Sequence, residues 1–215
     1  MKYSINIIAF LICALFVSNL SGQSSAPFHV FSYYDFHREA GKANWISTIY
    51  QKGGREKLKF GVDNKRPGSA RLVKKRLEDN SVSLVLHTHP KWTSQGMIQG
   101  CFPYINNLPK ATKLKGAIGF IKPHGSPKSD GARFLIYVRY YHPASRRYIK
   151  KEVFNSYKRY TGRMNKIEVD LSAYAGKKVS IILEVEAGKT PTEDWAAWDN
   201  LGLYSEYRHS YLFTD

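Results

Sequence analysis

A basic, tyrosine-rich stretch between residues 133 and 166 is the part of this chain best suited to bind a ligand. Arginine can form paired hydrogen bonds with a carboxylate, sulfate or phosphate, and tyrosine offers a ring face together with a hydroxyl. Trp92, in a predicted loop upstream, adds another aromatic face. We therefore predict a binding surface that consists of Trp92, Arg139, Tyr141, Arg146, Arg147, Tyr148 and Lys150.

The same stretch has a second interpretation, a solvated sheet surface that keeps a basic protein soluble. Its remaining cations include Lys151, Lys158, Arg159 and Arg163, and Glu152 is its single acid. Charged side chains on one face of a strand are common wherever that face meets water. The sequence leaves both interpretations open.

The chain shows no sequence motif for catalysis. It contains no HExxH zinc motif, no phosphate-binding loop and no nucleophile elbow. Two adjacent acid pairs, Glu78-Asp79 and Glu193-Asp194, fit turns better than the separated carboxylates of a glycosidase. We predict that the protein is not an enzyme, since a hydrolase would need two carboxylates or a metal converging in a cleft.

The histidine pattern does not complete a metal site. His87 and His89 are two apart on a predicted strand, so both imidazoles lie on one face. A zinc site needs a third and usually a fourth ligand, and His124 and His142 lie on separate segments. We predict no metal ligand among them and expect a hydrogen-bonded His89 at the strand end.

The acidic residues near the end of the chain are interpreted as framework. Calcium bound by Asp130, Asp194 or Asp199 would need six or more oxygens, and no aspartate-rich loop is present. Aspartate followed by glycine, as at Asp130, is typical of a tight turn. We predict no cofactor, a turn held by Asp194, and core packing for the tryptophans beside it, Trp195 and Trp198.

Alternating apolar residues predict strands along most of the chain. The clearest run is Val179, Ile181, Leu183 and Val185, and its opposite face carries Ser180, Glu184 and Glu186. Glycine and proline clusters separate such runs, and no internal repeat or second domain is evident. Many short strands with turns between them predict a single β-sandwich.

The N-terminus has the pattern of a signal peptide. Lys2 precedes an apolar run from Ile5 to Val17, which is too short to span a bilayer, and small polar residues follow. We place cleavage after Gly22, which predicts a secreted protein. Cys101 would then be the only thiol, so no intrachain disulfide could form, and we expect a buried structural cysteine.

The charge of the chain favours anionic partners. Its 33 Lys and Arg residues outnumber 17 Asp and Glu residues, a formal net charge of +16. Such an excess attracts polyanions, for example acidic polysaccharide, anionic surfaces or nucleic acid. Charge alone does not choose among them.

An ordered set of motifs resembles the NPCBM-type carbohydrate-binding modules, within the wider galactose-binding-like jelly-roll class. The motifs are Trp45, Lys59-Phe60-Gly61-Val62, Leu77-Glu78-Asp79, Thr88-His89-Pro90-Lys91-Trp92, Gly96-Met97-Ile98-Gln99-Gly100, Ser129-Asp130-Gly131, Asp170-Leu171-Ser172-Ala173-Tyr174-Ala175-Gly176 and Asp194-Trp195-Ala196-Ala197-Trp198. The resemblance implies an all-β jelly-roll sandwich that binds carbohydrate. Its members recognise different sugars, so it does not name the ligand.

Together these observations predict four segments: a signal peptide (1–22), a lead-in strand or segment (23–44), a β-sandwich binding module (45–206) and a tail (207–215). The predicted function is that of a secreted, non-catalytic, lectin-like protein that binds an anionic glycan. The alternative is a matrix or cell-surface adhesion protein that binds polyanions in general, including extracellular nucleic acid.

Overall fold

A computed structural model describes residues 28–49, 53–64 and 66–208, most of which lie in twelve β-strands. One short helix, α1 (Phe36–Glu39), and two 3-10 turns (Ala40–Lys42 and Ser172–Tyr174) are the helical segments of this part of the chain. The strands are β1 (Phe28–Asp35), β2 (Asn44–Ile49), β3 (Gly53–Leu58), β4 (Ser69–Arg76), β5 (Val82–His89), β6 (Gly96–Cys101), β7 (Thr112–Phe120), β8 (Ala132–His142), β9 (Arg147–Lys158), β10 (Asn165–Asp170), β11 (Val179–Ala187) and β12 (Ala196–Arg208).

The strands form two antiparallel sheets of six strands each. Sheet A has the order β10-β7-β12-β5-β4, and β1 pairs with the distal part of β12. Sheet B has the order β3-β2-β6-β11-β8-β9. The predicted all-β sandwich of two antiparallel layers is confirmed.

The core between the sheets is rich in aromatic side chains. Trp198 on sheet A packs edge-on against Phe134 on sheet B, with 5.1 Å between ring centroids. Trp45 contacts Phe102 in the same way at 6.0 Å, and its indole N–H donates to the Ala40 carbonyl at 2.9 Å. Buried aromatic rings contribute much of the apolar area that holds the two layers together.

The aspartates interpreted as framework residues join two loops, and one of the two tryptophans lies in the core. Asp130 accepts hydrogen bonds from the backbone N–H of Lys189 at 2.8 Å, and Gly131 has a φ of 113°. Asp194 accepts from Ser129 Oγ at 2.5 Å. Trp198 is fully buried as predicted, whereas Trp195 is only half-buried.

The predicted signal peptide and most of the predicted tail lie outside the described residues. Inside them, β1 begins within the predicted lead-in segment and pairs with β12, and Phe36 of α1 is buried in the core. No helix within 28–49, 53–64 and 66–208 is both long enough and apolar enough to cross a membrane.

Candidate functional site

The outer face of sheet B carries an unusual row of polar side chains on its central strands. On β11, Val185 and its alternate neighbours face the core, so Glu184 and Glu186 point outward. The adjacent strand β8 places Leu135 opposite Glu184 and Arg133 opposite Glu186. Charged and apolar groups therefore alternate side by side across two neighbouring strands.

These rows form the floor of a cleft of about 540 Å³. This volume lies within the range of about 300–1,000 Å³ found for small-ligand pockets. Strands β2, β3, β6, β8, β9 and β11 all contribute to it. We call it the sheet B cleft, lined by Ile46, Thr48, Arg55, Met97, Gln99, Arg133, Leu135, Tyr137, Lys150, Glu152, Asn155, Glu184 and Glu186.

Glu184 is the fixed centre of the cleft. Its side chain is only 3% exposed, and its carboxylate accepts hydrogen bonds from the Gln99 amide, from the Tyr137 hydroxyl at 3.1 Å and from Lys150 Nζ at 3.2 Å. Lys150 Nζ also lies 3.6 Å from the centroid of the Tyr137 ring. Burial, followed by the nearby Glu184 carboxylate, raises the pKa of Tyr137, so this hydroxyl keeps its proton and remains a donor.

A second set of polar groups follows the rim beside β9. Arg133 Nε lies 3.5 Å from Glu186, and Arg133 Nη1 donates to Asn155 Oδ1 at 3.1 Å. The Asn155 amide in turn donates to Glu152 at 3.1 Å. Burial raises the pKa of Glu186 above its usual range. Planar guanidinium, amide and carboxylate groups are thus held in fixed orientations around the cleft.

The cleft is charge-balanced, although the chain as a whole is strongly basic. Its three cationic residues are matched by three carboxylates. Donors and acceptors alternate within a few ångströms, and a sugar hydroxyl can both donate and accept. The arrangement is therefore suited to an uncharged, polyhydroxylated ligand.

Next to the cleft, Arg139 is surrounded by tyrosine rings. Its guanidinium carbon lies 5.0 Å from the Tyr148 ring centroid and 5.9 Å from that of Tyr104. Tyr141 meets Tyr148 edge-on at 5.6 Å, and Lys178 Nζ lies 5.2 Å from the Tyr104 centroid. We call these five residues the Arg139 cluster. Arg139 pairs across the strands with Lys150, which joins the cluster to the sheet B cleft.

Four of the seven predicted binding residues come together on this face. Arg139, Tyr141 and Tyr148 belong to the cluster, and Lys150 belongs to the cleft. Tyr141 and Tyr148 are about half exposed, so their rings are accessible to a ligand.

The other three predicted residues lie elsewhere. Arg146 is in the turn between β8 and β9 with a φ of 51°, and Arg147 pairs with His142, so strand alternation turns it to the face opposite Tyr148. Trp92 is exposed in the loop between β5 and β6, where its ring stacks on that of His89 at 5.3 Å.

Of the residues that line the cleft, sequence reasoning had predicted only Lys150 as a binding residue. Glu184 and Glu186 were recognised as outward-facing, but Gln99 and Asn155 gave no signal of their own. The available signal was the presence of two acids on the outer face of an apolar strand in a basic chain. Their partners come from distant strands and could not be paired with them.

One member of the predicted basic surface is misplaced. Lys158 is only 2% exposed, and its Nζ lies 2.9 Å from the carboxylate of the fully buried Glu78. Glu78 lies in a turn with Asp79, as predicted, but its carboxylate is half of a buried ion pair. Asp79 does hold a turn, since it accepts from the Ser81 backbone at 3.0 Å.

Three of the residues considered as metal ligands are hydrogen-bonded within the protein. His87 Nδ1 donates to the Ala196 carbonyl at 3.1 Å, and His89 Nδ1 donates to the Pro90 carbonyl at 2.6 Å. Asp199 accepts from Ser83 Oγ at 2.6 Å. Within the described part of the chain, no group of three or more His, Cys, Asp or Glu side chains is arranged to hold a metal ion. Cys101 is half-buried, with its sulfur 3.4 Å from Ser180 Oγ.

Comparison with known proteins gives structural neighbours only. No protein-family model matches the sequence, and no curated protein matches it significantly. The neighbours include a carbohydrate-binding module of the β-sandwich superfamily, described for promiscuous specificity, with a TM-score of 0.48 and 12% identity. This match covers 80% of the present chain and 61% of the other chain, so the chain spans less than two thirds of that protein.

Two further neighbours are carbohydrate-binding modules of about the same extent as the sandwich. TmCBM61, solved with β-1,4-galactotriose, has a TM-score of 0.43 and 12% identity over 81% of this chain and 94% of its own. TmCBM27, described for mannan recognition, has a TM-score of 0.43 and 15% identity over 84% of this chain and 99% of its own. The NPCBM type itself is not among the matches described.

Proposed function

We propose that this protein is a secreted, non-catalytic carbohydrate-binding protein whose ligand is a glycan chain lying along the outer face of sheet B. The observation that supports this best is the sheet B cleft, in which rigid donors and acceptors surround a charge-balanced space of about 540 Å³. A pocket with this many fixed planar polar groups matches the hydroxyl-rich surface of a sugar.

The Arg139 cluster gives this face a second, cationic part. Arginine between aromatic rings keeps its planar fork of donors available for a carboxylate or sulfate, and Tyr148 offers a ring for the apolar face of a sugar. A glycan with hydroxyl groups in the cleft and an acidic unit at Arg139 would use both parts. We therefore propose an acidic glycan rather than a neutral homopolymer.

The structural neighbours do not select the sugar. Galactotriose and mannan are named for two of them, but fold similarity at TM-scores below 0.5 gives no argument about a ligand. The proposed ligand is therefore inferred only from the side chains of this protein.

Hydrolysis is a weaker explanation of the carboxylates in the cleft. A glycosidase needs one carboxylate free to act as nucleophile or base and a second free to donate a proton. Glu184 is buried and already accepts from three donors, one of them cationic, and Glu186 lies against Arg133. Neither carboxylate is free to take either role while these contacts persist.

The proposal can be tested by isothermal titration calorimetry with acidic polysaccharides (alginate, polygalacturonate, chondroitin sulfate) and neutral ones (galactan, mannan, xylan). We expect at least one acidic chain to bind. Arg139→Ala and Tyr148→Ala should each weaken binding about tenfold, because each removes a charge-assisted contact or a stacking face. Phe31→Ala removes a similarly exposed ring from sheet A and Lys74→Ala removes an exposed cation there, and both should leave binding unchanged.

Three results would contradict the proposal. If none of the polysaccharides binds, or if the sheet A control variants weaken binding as much as the sheet B variants, the site is not on sheet B. If new reducing ends accumulate with the wild-type protein but not with Glu186→Gln, the protein is a hydrolase and the non-catalytic assignment fails.

General polyanion binding is the second candidate function, and the net charge of +16 favours it. A matrix or cell-surface adhesion protein of this kind would bind heparin and DNA as well as acidic polysaccharide, without regard to sugar identity. Discrimination among the polysaccharides above separates the two functions.

A further inference from the structure

A second pocket, of about 360 Å³, lies on the outer face of sheet A. Strands β4 and β5 and the segments that flank β7 and β12 form its walls. Because the two sheets pack face to face, the outer face of sheet A and the outer face of sheet B are on opposite sides of the molecule. The pocket is therefore separate from the sheet B cleft.

The pocket has an aromatic and aliphatic wall. Trp195 lines it and packs on the small apolar cluster that contains Leu77, Val85 and Ala197 on this side of the sheet. Ile121 lines it as well. The indole of Trp195 is half-buried, so part of its surface faces the pocket. An indole against an open space is suited to pack on the apolar face of a sugar ring.

The charges of the pocket distinguish it from the sheet B cleft. Four cationic side chains line it, and the single carboxylate among its lining residues is Asp63, which lies 2.9 Å from Arg71. The remaining cations are Lys75, Arg76 and Lys122. The pocket therefore has an excess of positive charge and is suited to hold an anion.

His87 adds a hydrogen-bond acceptor to this cationic wall. It is 4% exposed, and its Nδ1 lies 3.1 Å from the Ala196 carbonyl, which can only accept, so Nδ1 carries a proton. Burial lowers the pKa of His87 to about 4, so at neutral pH the ring is uncharged and its Nε2 can accept a hydrogen bond from a hydroxyl group. The Trp195 ring, the cationic side chains and the His87 acceptor are together suited to bind a small hydroxylated anion.

We propose that this pocket binds a single acidic sugar residue, a uronate or a sulfated monosaccharide, as a second carbohydrate site. Its carboxylate or sulfate would meet Arg76, Lys75 and Lys122, a hydroxyl would donate to His87, and the ring would pack on Trp195. The volume is near the lower end of the range for ligand pockets, which favours one residue over a chain.

The consequence is that the protein is bivalent. With sites on opposite faces, one molecule can hold two glycan chains and join them, and the joined assembly gains avidity beyond either site. This goes beyond the function proposed above, which needs the sheet B face alone.

The test uses methyl β-glucuronide as the probe, in the full-length Arg139→Ala protein so that the Arg139 cluster does not contribute. Calorimetry should show one site that prefers the glucuronide over methyl β-glucoside by about tenfold or more. The Lys75→Gln/Lys122→Gln variant should lose this preference. Lys74→Gln is the matched control, because Lys74 is the exposed neighbour of Lys75 on β4 and does not line the pocket.

Equal binding of glucuronide and glucoside, or equal loss in the Lys74→Gln control, would overturn the proposal. Inorganic sulfate that competes as strongly as the glucuronide would reduce the site to a simple anion site and overturn its assignment to a sugar. If polysaccharide binding at sheet B fails while the glucuronide still binds, the sheet A pocket remains a sugar site although the proposed function of sheet B is wrong.

Bivalency has a separate readout. The wild-type protein should make a solution of acidic polysaccharide turbid at an intermediate protein ratio. Lys75→Gln/Lys122→Gln should prevent turbidity while it keeps polysaccharide binding through sheet B. Turbidity that survives in this variant would contradict cross-linking through the sheet A pocket.

Discussion

Among single residues, Lys158 differs most from its sequence-based prediction. It belongs to a run of cations that looks solvent-exposed, yet its Nζ is buried against Glu78, 80 residues earlier in the chain. Glu78 also accepts from the backbone N–H groups of Phe120, Thr161 and Gly162 at 3.0, 2.9 and 3.1 Å. Local patterns cannot reveal such a pair, because neither residue has an unusual neighbour in sequence.

Substitution of Glu78 and substitution of Lys158 should lower the stability of the protein by different amounts. Glu78→Leu should lower the free energy of unfolding by about 3–5 kcal/mol, because it leaves a buried ammonium and three backbone N–H groups without their carboxylate. Lys158→Met should lower the free energy of unfolding by clearly less, because Glu78 keeps its backbone donors and the methionine fills the space. Urea unfolding at neutral pH measures both.

Lys74→Met, at an exposed position of β4, is the control and should change stability by less than about 0.5 kcal/mol. Equal losses for the two buried variants, or a larger loss for Lys158→Met, would show that the backbone contacts of Glu78 contribute little.

At the level of strands, the sequence was informative wherever alternation was strong. It assigned the inner and outer faces of β11 correctly, because a residue period of two follows directly from strand geometry. It did not indicate which strands are neighbours. The sheet B cleft depends on β11 lying between β6 and β8, and this order is set by long-range pairing that no local pattern records.

Strand β6 also packs unusually closely against the core. A Cβ atom at Gly100 would lie 2.5 Å from two carbon atoms of the Trp45 ring, and that ring is held by its hydrogen bond to Ala40. Gly100→Ala should therefore lower the free energy of unfolding by about 1–3 kcal/mol and alter the near-ultraviolet circular dichroism of the tryptophans. Urea unfolding and the dichroism spectrum test this.

Gly125→Ala is the matched control, because no heavy atom lies within 4 Å of a Cβ placed there. It should leave the free energy of unfolding and the near-ultraviolet dichroism unchanged. A Gly100→Ala protein as stable as the wild type would mean that the Trp45 ring moves easily and that this end of the core is loosely packed.

For the whole molecule, the important feature is the uneven distribution of charge. The chain has a net charge of +16, but the sheet B cleft is balanced and the sheet A pocket is cationic. Composition predicts an attraction to polyanions, but it cannot show that the cleft on sheet B is charge-balanced. The fold determines which of the charges meet a ligand.

This distribution predicts three salt dependences, measurable by calorimetry between about 0.05 and 0.5 M NaCl. DNA binding should weaken steeply, since it rests on counterion release from phosphates. An acidic polysaccharide should lose only part of its affinity, and a neutral oligosaccharide that occupies the cleft should lose almost none. Parallel slopes for DNA and acidic polysaccharide would favour general polyanion binding over a glycan site.

The pairing of β1 with β12 places Phe28 directly opposite Arg208, so the two ends of the described sandwich leave it at the same point. Tension applied through both ends would separate β1 from β12 one pair of hydrogen bonds at a time. In this geometry the force acts on the hydrogen bonds in sequence and not on all of them together. The first strand should peel away at low force while the remaining layers stay closed. A molecule tethered at both ends would then yield gradually under tension, while sheet B stays intact.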